Sequence, residues 1–185
     1  TSIPHVTHFE EIDISIIEEQ RSELNKTSET KLTPLSYLVM KVISALQEFP
    51  QFNAALVGEG EIMLRKYFNI GIAVDTKDGL LVPVIKEADK LNITEVANEI
   101  IMLAEKAKNK KLLEKNLSGG TFSISSLGPM GGVGFTPIIN PPEVAILGVS
   151  RAKKVPVLEG DKLVEKTILP VALSYDHRVI NGADA

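Results

Sequence analysis

The chain has 185 residues, 44% of them hydrophobic and 24% charged, which suits one globular domain with a single core and is short for two. A net charge of −4 argues against binding to nucleic-acid phosphates, and no apolar run approaches the length of a membrane span. The absence of cysteine excludes disulfides, a cysteine nucleophile and cysteine-ligated metal.

The chain begins with a predicted strand and a predicted helix. Residues 3–12 indicate a strand or an extended arm, and apolar residues then recur at helical spacing over residues 14–24. Asp13 or Ser15 is a candidate cap for this helix, and Glu18 could complete a capping box. We expect no metal site here, because the chain's three histidines have no recognisable ligand spacing.

Two further helices have clear start signals. Thr33-Pro34 supplies a capping hydroxyl and then a proline in the first turn, and Pro50 predicts the end of that helix. The stretch Leu35–Phe49 between them is apolar almost all round, which predicts a buried helix. Asn92 and Glu95 form the capping box of a later helix that continues as one apolar stripe to Ala107.

The remaining segments predict strands separated by turns. A hairpin around Gly58-Glu59-Gly60, a glycine-rich loop over Gly128–Gly134 and a closing hairpin are all indicated by turn residues between apolar runs. The predicted strands are Ala54–Val57, Glu61–Leu64, Ile70–Val74, Leu80–Ile85, Thr121–Ser126, Val144–Val149, Lys153–Leu158 and Lys162–Tyr175. Because helices and strands do not alternate regularly, the pattern favours an α/β sandwich, with a mixed sheet covered by helices, over a doubly wound fold.

The end of the chain carries a specific motif, which runs from Tyr175 through His177 to Ala183. It resembles the histidine signature of the dihydrolipoamide acyltransferases and of the related chloramphenicol acetyltransferases. Further segments resemble the dehydrogenase-complex branch: Ile3–His5, Gly79–Ile85, Gly119–Phe122 and Thr136–Ala145. Two features depart from the pattern: Asn181 stands where the signature has aspartate, and the sequence ends three residues after Gly182, where the resemblance predicts a C-terminal helix.

The resemblance implies a chloramphenicol-acetyltransferase-like fold and a single acyltransferase catalytic domain over residues 1–185. It also implies a homotrimer in which His177 of one subunit meets Ser125 of its neighbour in a channel, with coenzyme A entering from one end and the lipoyl group from the other. The lipoyl and subunit-binding domains are not in this sequence, so contact with the E1 and E3 components would go through a longer parent chain. With the C-terminal helix apparently truncated, we expect the trimer to form without a larger cubic or dodecahedral core.

The residue chemistry fits acyl transfer between two thiols. A neutral histidine can take the proton of a thiol whose pKa is about 8.5, which makes His177 the candidate general base. The oxyanion then formed needs a fixed donor, for which Ser125 is the candidate, with Ser123 and Ser126 as competitors. Strand alternation places Ser123 and Ser125 on one face and Ser126 on the other. Asn181 keeps hydrogen-bonding capacity without charge, which suits a supporting role.

Three readings of function follow from these residues. The first is an acyltransferase core (E2) subunit of a 2-oxoacid dehydrogenase complex, acting on acetyl or branched-chain acyl groups and located in the cytoplasm, or in the mitochondrial matrix if eukaryotic. The second is a non-catalytic structural core or adaptor subunit, which Asn181 alone favours. The third is a free-standing antibiotic acetyltransferase, which Gly79–Ile85 and Thr136–Ala145 disfavour. Arg178 is interpreted as a structural, salt-bridging residue.

Overall fold

A computed structural model of the chain describes residues 3–58, 60–128 and 130–185. Glu59 of the first predicted turn and one position of the glycine-rich loop, Pro129, lie outside the described residues. The helices are α1 Ser15–Leu24, α2 Pro34–Glu48, α3 Ile93–Lys108 and the short α4 Glu114–Leu117. The strands are β1 His5–Asp13, β2 Ala54–Val57, β3 Glu61–Leu64, β4 Ile70–Ile72, β5 Val74–Thr76, β6 Gly79–Leu81, β7 Val84–Ile85, β8 Phe122–Ser126, β9 Ala145–Val149, β10 Lys153–Glu159 and β11 Lys162–Asp176.

The main sheet is mixed and has seven strands in the described chain. Its order is β1-β11-β9-β8-β4-β7, and β10 pairs with the first half of β11. Strands β4, β8 and β9 run parallel to one another, while β1, β11, β10 and β7 pair antiparallel with their neighbours. The pairs β2–β3 and β5–β6 form two small separate hairpins. The expectation of an α/β fold with a mixed sheet is confirmed.

The capping signals place two helices correctly. Thr33 precedes α2 with extended backbone as predicted, but its hydroxyl makes no capping hydrogen bond. The hydroxyl of Ser36 instead donates to the Thr33 carbonyl at 2.7 Å. In α3, the side chain of Asn92 accepts from the N–H of Glu95 at 3.0 Å, while the Glu95 carboxylate accepts from the N–H of Asn92 at 2.8 Å. This reciprocal pair satisfies N–H groups that a helix start otherwise leaves free.

The predicted cap of α1 is wrong. The N-cap is Ile14, which provides no side-chain cap. Asp13 instead accepts hydrogen bonds from the N–H and the hydroxyl of Ser15, at 3.0 and 2.6 Å. The Glu18 carboxylate forms an ion pair with Arg21 at 2.8 Å and so does not return to the helix start.

Helix α2 is buried on one face, so the expectation of burial on all sides is wrong for a single chain. Val39, Ile43 and Leu46 belong to the core, together with residues of α3 and of the central strands. The other face of α2 lines an apolar groove of about 340 Å³, opposite side chains of β1, β9 and β11. No helix in the described ranges is long and apolar enough to cross a membrane.

Candidate active site

His177 lies in a tight turn that directly follows β11. The carbonyl of Asp176 closes this turn by accepting from the N–H groups of Val179 and Ile180, both at 3.0 Å. The N–H of His177 donates to the carbonyl of Pro4 at 3.1 Å, which ties the turn to the start of the chain. The imidazole is exposed and lies beside the ring of Tyr175, with 6.0 Å between the ring centroids. The backbone is therefore fixed while the ring stays open to a reactant.

An ion pair between Arg178 and Asp176 stabilises the turn. The guanidinium of Arg178 donates to the carboxylate of Asp176 at 2.6 and 2.9 Å, and the N–H of Arg178 donates to the same group at 3.0 Å. Burial would raise the pKa of Asp176, but the hydrogen bonds from Arg178 outweigh burial, and the pKa lies below its usual value. The salt bridge predicted for Arg178 is confirmed.

Ser125 stands on β8, on the face turned away from the helices. Phe122 and Ile124 point into the core that β8 shares with α2 and α3, so Ser123 and Ser125 share the opposite face. Ser123 is fully buried, whereas Ser125 is only half-buried. Of these two hydroxyls, Ser125 is the one that a reactant from outside could reach.

A single chain does not bring Ser125 and His177 together. Ser125 pairs with Gly148 on β9, and Gly148 pairs with Ala172 on β11. His177 lies five positions beyond Ala172. Two strand spacings and five residues of extended chain put the two residues about 20 Å apart. The two cannot share a reacting atom within one subunit.

Asn181 lies in the last turn of the chain and is exposed. Its carbonyl accepts from the N–H groups of Asp184 and Ala185, both at 3.1 Å. Across the three described ranges, its amide side chain has no hydrogen-bond partner. Asn181 therefore supports the local turn through its backbone, and its side chain is free to contact another group.

His5 forms two hydrogen bonds that the sequence did not predict. Its Nε2 accepts from the N–H of Ile139 at 3.0 Å, and its Nδ1 lies 2.9 Å from the carbonyl of Ile3. Because a backbone N–H can only donate, Nδ1 carries the proton and donates to Ile3. His5 also pairs with Asp176 in the sheet. It thus joins the segment before β9 to the strand beside the His177 turn.

Glu143 is the second feature that sequence reasoning missed. Its side chain is buried just before β9, and burial raises the pKa of its carboxyl to about 7 although Ser123 and Arg65 act in the opposite direction. The Ser123 hydroxyl faces the carboxyl without reaching hydrogen-bond geometry, so we regard its effect as weak. A recess of about 430 Å³ opens beside Glu143, with Asp176 and Arg178 among its lining residues.

No group of three or more His, Asp or Glu side chains in the described ranges is arranged to hold a metal ion. Ser125, Asn181 and His177 offer a hydroxyl, an amide and an imidazole. These groups can move a proton and donate hydrogen bonds to an oxyanion.

Comparison with known proteins identifies the family. The family model described as the 2-oxoacid dehydrogenases acyltransferase (catalytic domain) matches residues 1–185. The chain belongs to this family. The dihydrolipoyllysine-residue acetyltransferase component of the pyruvate dehydrogenase complex from Cupriavidus necator is 50% identical over an alignment of 186 positions that covers 99% of this chain and 34% of that protein. The chain thus spans about a third of the length of this relative.

Solved structures agree with this assignment. Dihydrolipoamide acetyltransferase of Azotobacter vinelandii, studied for the role of a serine, a histidine and an asparagine in its catalytic mechanism, has a TM-score of 0.95 and 48% identity over 99% of this chain and 77% of that one. The cubic core of the pyruvate dehydrogenase multienzyme complex matches with the same values. A chloramphenicol acetyltransferase has a TM-score of 0.62 at 16% identity, over 98% of this chain and 83% of that one. The expected chloramphenicol-acetyltransferase-like fold is confirmed.

Proposed function

We propose that this chain is the acyltransferase catalytic domain of a 2-oxoacid dehydrogenase complex and moves an acyl group between a dihydrolipoyl thiol and the thiol of coenzyme A. The observation that carries the proposal is the position of His177, an exposed imidazole on a rigid turn at the end of β11. Membership of the acyltransferase family indicates acyl transfer as the reaction in which this histidine acts.

The intervals between Ser125, His177 and Asn181 along the chain support this assignment. In the Azotobacter vinelandii enzyme, the serine, histidine and asparagine studied for the catalytic mechanism follow one another at intervals of 52 and 4 positions. Ser125, His177 and Asn181 follow one another at the same intervals. Asparagine at the third position therefore argues for catalysis, and the reading of a non-catalytic adaptor subunit loses the feature that favoured it.

The first step is removal of a proton from the attacking thiol. A thiol with a pKa of about 8.5 is mostly protonated near neutrality, and only its thiolate attacks a thioester efficiently. The exposed imidazole of His177 accepts this proton through a ring nitrogen. The backbone bond to Pro4 and the Asp176–Arg178 ion pair hold the turn while the proton moves.

The second step is attack on the thioester carbonyl. The sulfur–carbon bond forms, the carbonyl oxygen becomes an oxyanion, and the Ser125 hydroxyl donates a hydrogen bond to it. One such donor contributes about 3 kcal/mol to stabilisation of the transition state. The oxyanion then collapses, the carbon–sulfur bond to the leaving thiolate breaks, and His177 returns the proton to that thiolate. No acyl-enzyme is needed, because both reacting sulfurs belong to substrates.

The site is shared between subunits. His177 and Ser125 lie about 20 Å apart in one chain, too far for a base and an oxyanion donor that act on the same tetrahedral centre. A homotrimer in which His177 of one subunit faces Ser125 of the next resolves this separation. The likeness to the cubic core of a pyruvate dehydrogenase complex supports such an assembly. The side chain of Asn181, which has no partner within the described ranges, then contacts the neighbouring subunit beside His177.

The partners and setting follow from the same proposal. The lipoyl group is carried on a separate domain, and the E1 and E3 components are reached through the parent chain. The acyl group is acetyl, as in the names of the relatives from Cupriavidus necator and Azotobacter vinelandii, with branched-chain acyl groups as the alternative. The cytoplasm is the proposed location.

A direct assay tests the proposal. Acetyl-coenzyme A and free dihydrolipoamide are incubated with the purified protein, and formation of acetyl-dihydrolipoamide and free coenzyme A is followed. Transfer that saturates in both substrates and is lost in His177→Ala supports the proposal. A folded protein that transfers no acetyl, isobutyryl or isovaleryl group would contradict it and favour a structural subunit.

A further inference from the structure

Glu143 is a buried carboxyl to which the proposed reaction assigns no role. Glu143 is only 4% exposed, and its Oε2 has no hydrogen-bond partner in the described chain. A buried carboxyl is destabilising unless it is protonated or paired, so its presence at this position needs a reason.

Three neighbouring residues surround the carboxyl of Glu143 closely. Oε1 lies 2.7 Å from the position that a Cβ of Gly120 would occupy, so a side chain there would collide with the carboxyl. The buried hydroxyl of Ser123 faces the same carboxyl from β8. Arg65 attracts it from the segment after β3, while a terminal nitrogen of Arg65 donates to the carbonyl of Gly120 at 3.1 Å.

This position connects the two strands that carry the proposed active-site residues. On one side is β8, where Ser123 precedes Ser125 on the same face. On the other side, the carbonyl of Val144, the next residue after Glu143, accepts from the N–H of Asp176 at 2.8 Å. Asp176 directly precedes His177. A shift at Glu143 is therefore transmitted to both Ser125 and His177 through one or two residues.

We propose that Glu143 is a positioning residue for acyl transfer, whose buried carboxyl sets the place of Arg65 on the Gly120 carbonyl and so fixes the approach to β8 and the His177 turn. A neutral carboxyl leaves Arg65 on the Gly120 carbonyl. Ionisation draws the guanidinium, whose buried Nε has no other partner, towards the carboxylate and pulls its terminal nitrogen away from Gly120, so that carboxylate and carbonyl compete for its position. The strand that carries Ser125 then shifts at its first residue. This inference rests on the proposed function.

The charges that face Glu143 agree with this competition. Arg65 approaches from the β2–β3 hairpin side, and Lys86 lies beside Gly119, next to Gly120. The Asp176–Arg178 pair lines the same recess but is already internally neutralised at 2.6 Å. Arg65 is thus the cation whose position depends on the charge of Glu143.

Two variants and a control test the proposal in the assembled protein. Glu143→Gln mimics the uncharged carboxyl, Glu143→Ala removes it, and Glu105→Gln alters an exposed carboxylate of α3 as the control. Rates of acetyl transfer are measured over a pH range on both sides of neutrality, with kcat and KM separated. Infrared spectra of the same proteins follow the C=O stretch of a protonated carboxyl as pH is varied, independently of activity.

The expected result is a change in the shape of the pH profile. Wild type and Glu105→Gln lose kcat on the alkaline side as Glu143 ionises, whereas Glu143→Gln keeps its kcat there and lacks the titrating C=O band. Glu143→Ala lowers kcat by about 10- to 100-fold with little change in KM, as expected for misplaced reacting groups. Identical kcat profiles for wild type and Glu143→Gln would overturn the inference, whether or not Glu143→Ala folds. Failure of the proposed function is distinct, because acetyl transfer would then survive His177→Ala or be absent from wild type.

Discussion

Ser125 and His177 of one chain stand two strands apart in the same sheet, with His177 five positions beyond the residue of β11 that aligns with Ser125. The resulting separation of about 20 Å follows from strand geometry alone. Each subunit therefore carries both halves of the proposed chemistry without being able to combine them.

Replacement of His177 by alanine should lower kcat by about 10²- to 10⁴-fold, the usual contribution of a positioned general base. The fold should survive, because the imidazole is exposed and the turn is held by backbone hydrogen bonds. Steady-state acetyl transfer and circular dichroism measure the two effects. His8→Ala is the matched control, since His8 is an exposed histidine on β1. Near-normal transfer by an assembled His177→Ala protein would end the assignment.

Ser125→Ala should lower kcat by about 10²- to 10³-fold with a smaller change in KM, because an oxyanion donor acts mainly in the transition state. Ser126→Ala is the control on the opposite face of β8. The register of the site would be wrong if Ser123→Ala or Ser126→Ala gave this loss and Ser125→Ala did not.

Asn181→Asp should keep most of the wild-type kcat. The two side chains are nearly equal in size, and in the chain Asn181 is exposed, so the new charge is not buried within the subunit. The change in unfolding free energy should stay within about 0.5 kcal/mol. Denaturant titration and the acetyl-transfer assay check both points. Loss of folding or assembly would show that the neighbouring subunit has a pocket specific for the amide.

Glu143→Gln should become more stable relative to wild type as pH rises. The pKa of Glu143 is raised from 4.5 to about 7 in the folded protein. Between these values the folded state binds more protons than the unfolded state, so wild-type stability falls with increasing pH, by about 3 kcal/mol in total. Glutamine does not titrate, so the variant lacks this loss. Denaturant titrations at several pH values measure the difference; a difference that stays constant with pH would contradict the raised pKa.

Local signals in the sequence were sufficient for the starts of the two long helices and for the faces of β8. Thr33-Pro34 and the Asn92–Glu95 pair predicted where α2 and α3 begin, because caps act within one helical turn. The alternation over β8 predicted that Ser123 and Ser125 share a face. Long-range contacts were not predictable in this way. The surroundings of Glu143 include Arg65 and Ser123, which approach from the segment after β3 and from β8.

The apolar face of α2 shows a further limit of sequence reasoning. Apolar residues all round a helix predict burial but do not say which element supplies it. In the single chain one face packs in the core while Leu38, Val42 and Phe49 line a groove. The role of His5 was equally hidden, because its partner Ile139 is distant in sequence and contributes only a backbone N–H.

The central claim is that each active site combines His177 of one subunit with Ser125 of the next, and mixed assemblies test it most directly. His177→Ala and Ser125→Ala chains, each with a different affinity tag, are co-expressed, and assemblies that carry both tags are isolated. Each variant alone is nearly inactive, but a mixed ring contains interfaces where an intact His177 faces an intact Ser125. The isolated trimers should show about one third of wild-type activity, because a head-to-tail ring with two chains of one variant and one of the other has a single productive interface among three. Mixed assemblies as inactive as the parent variants would contradict the shared site and place both residues' action within one chain.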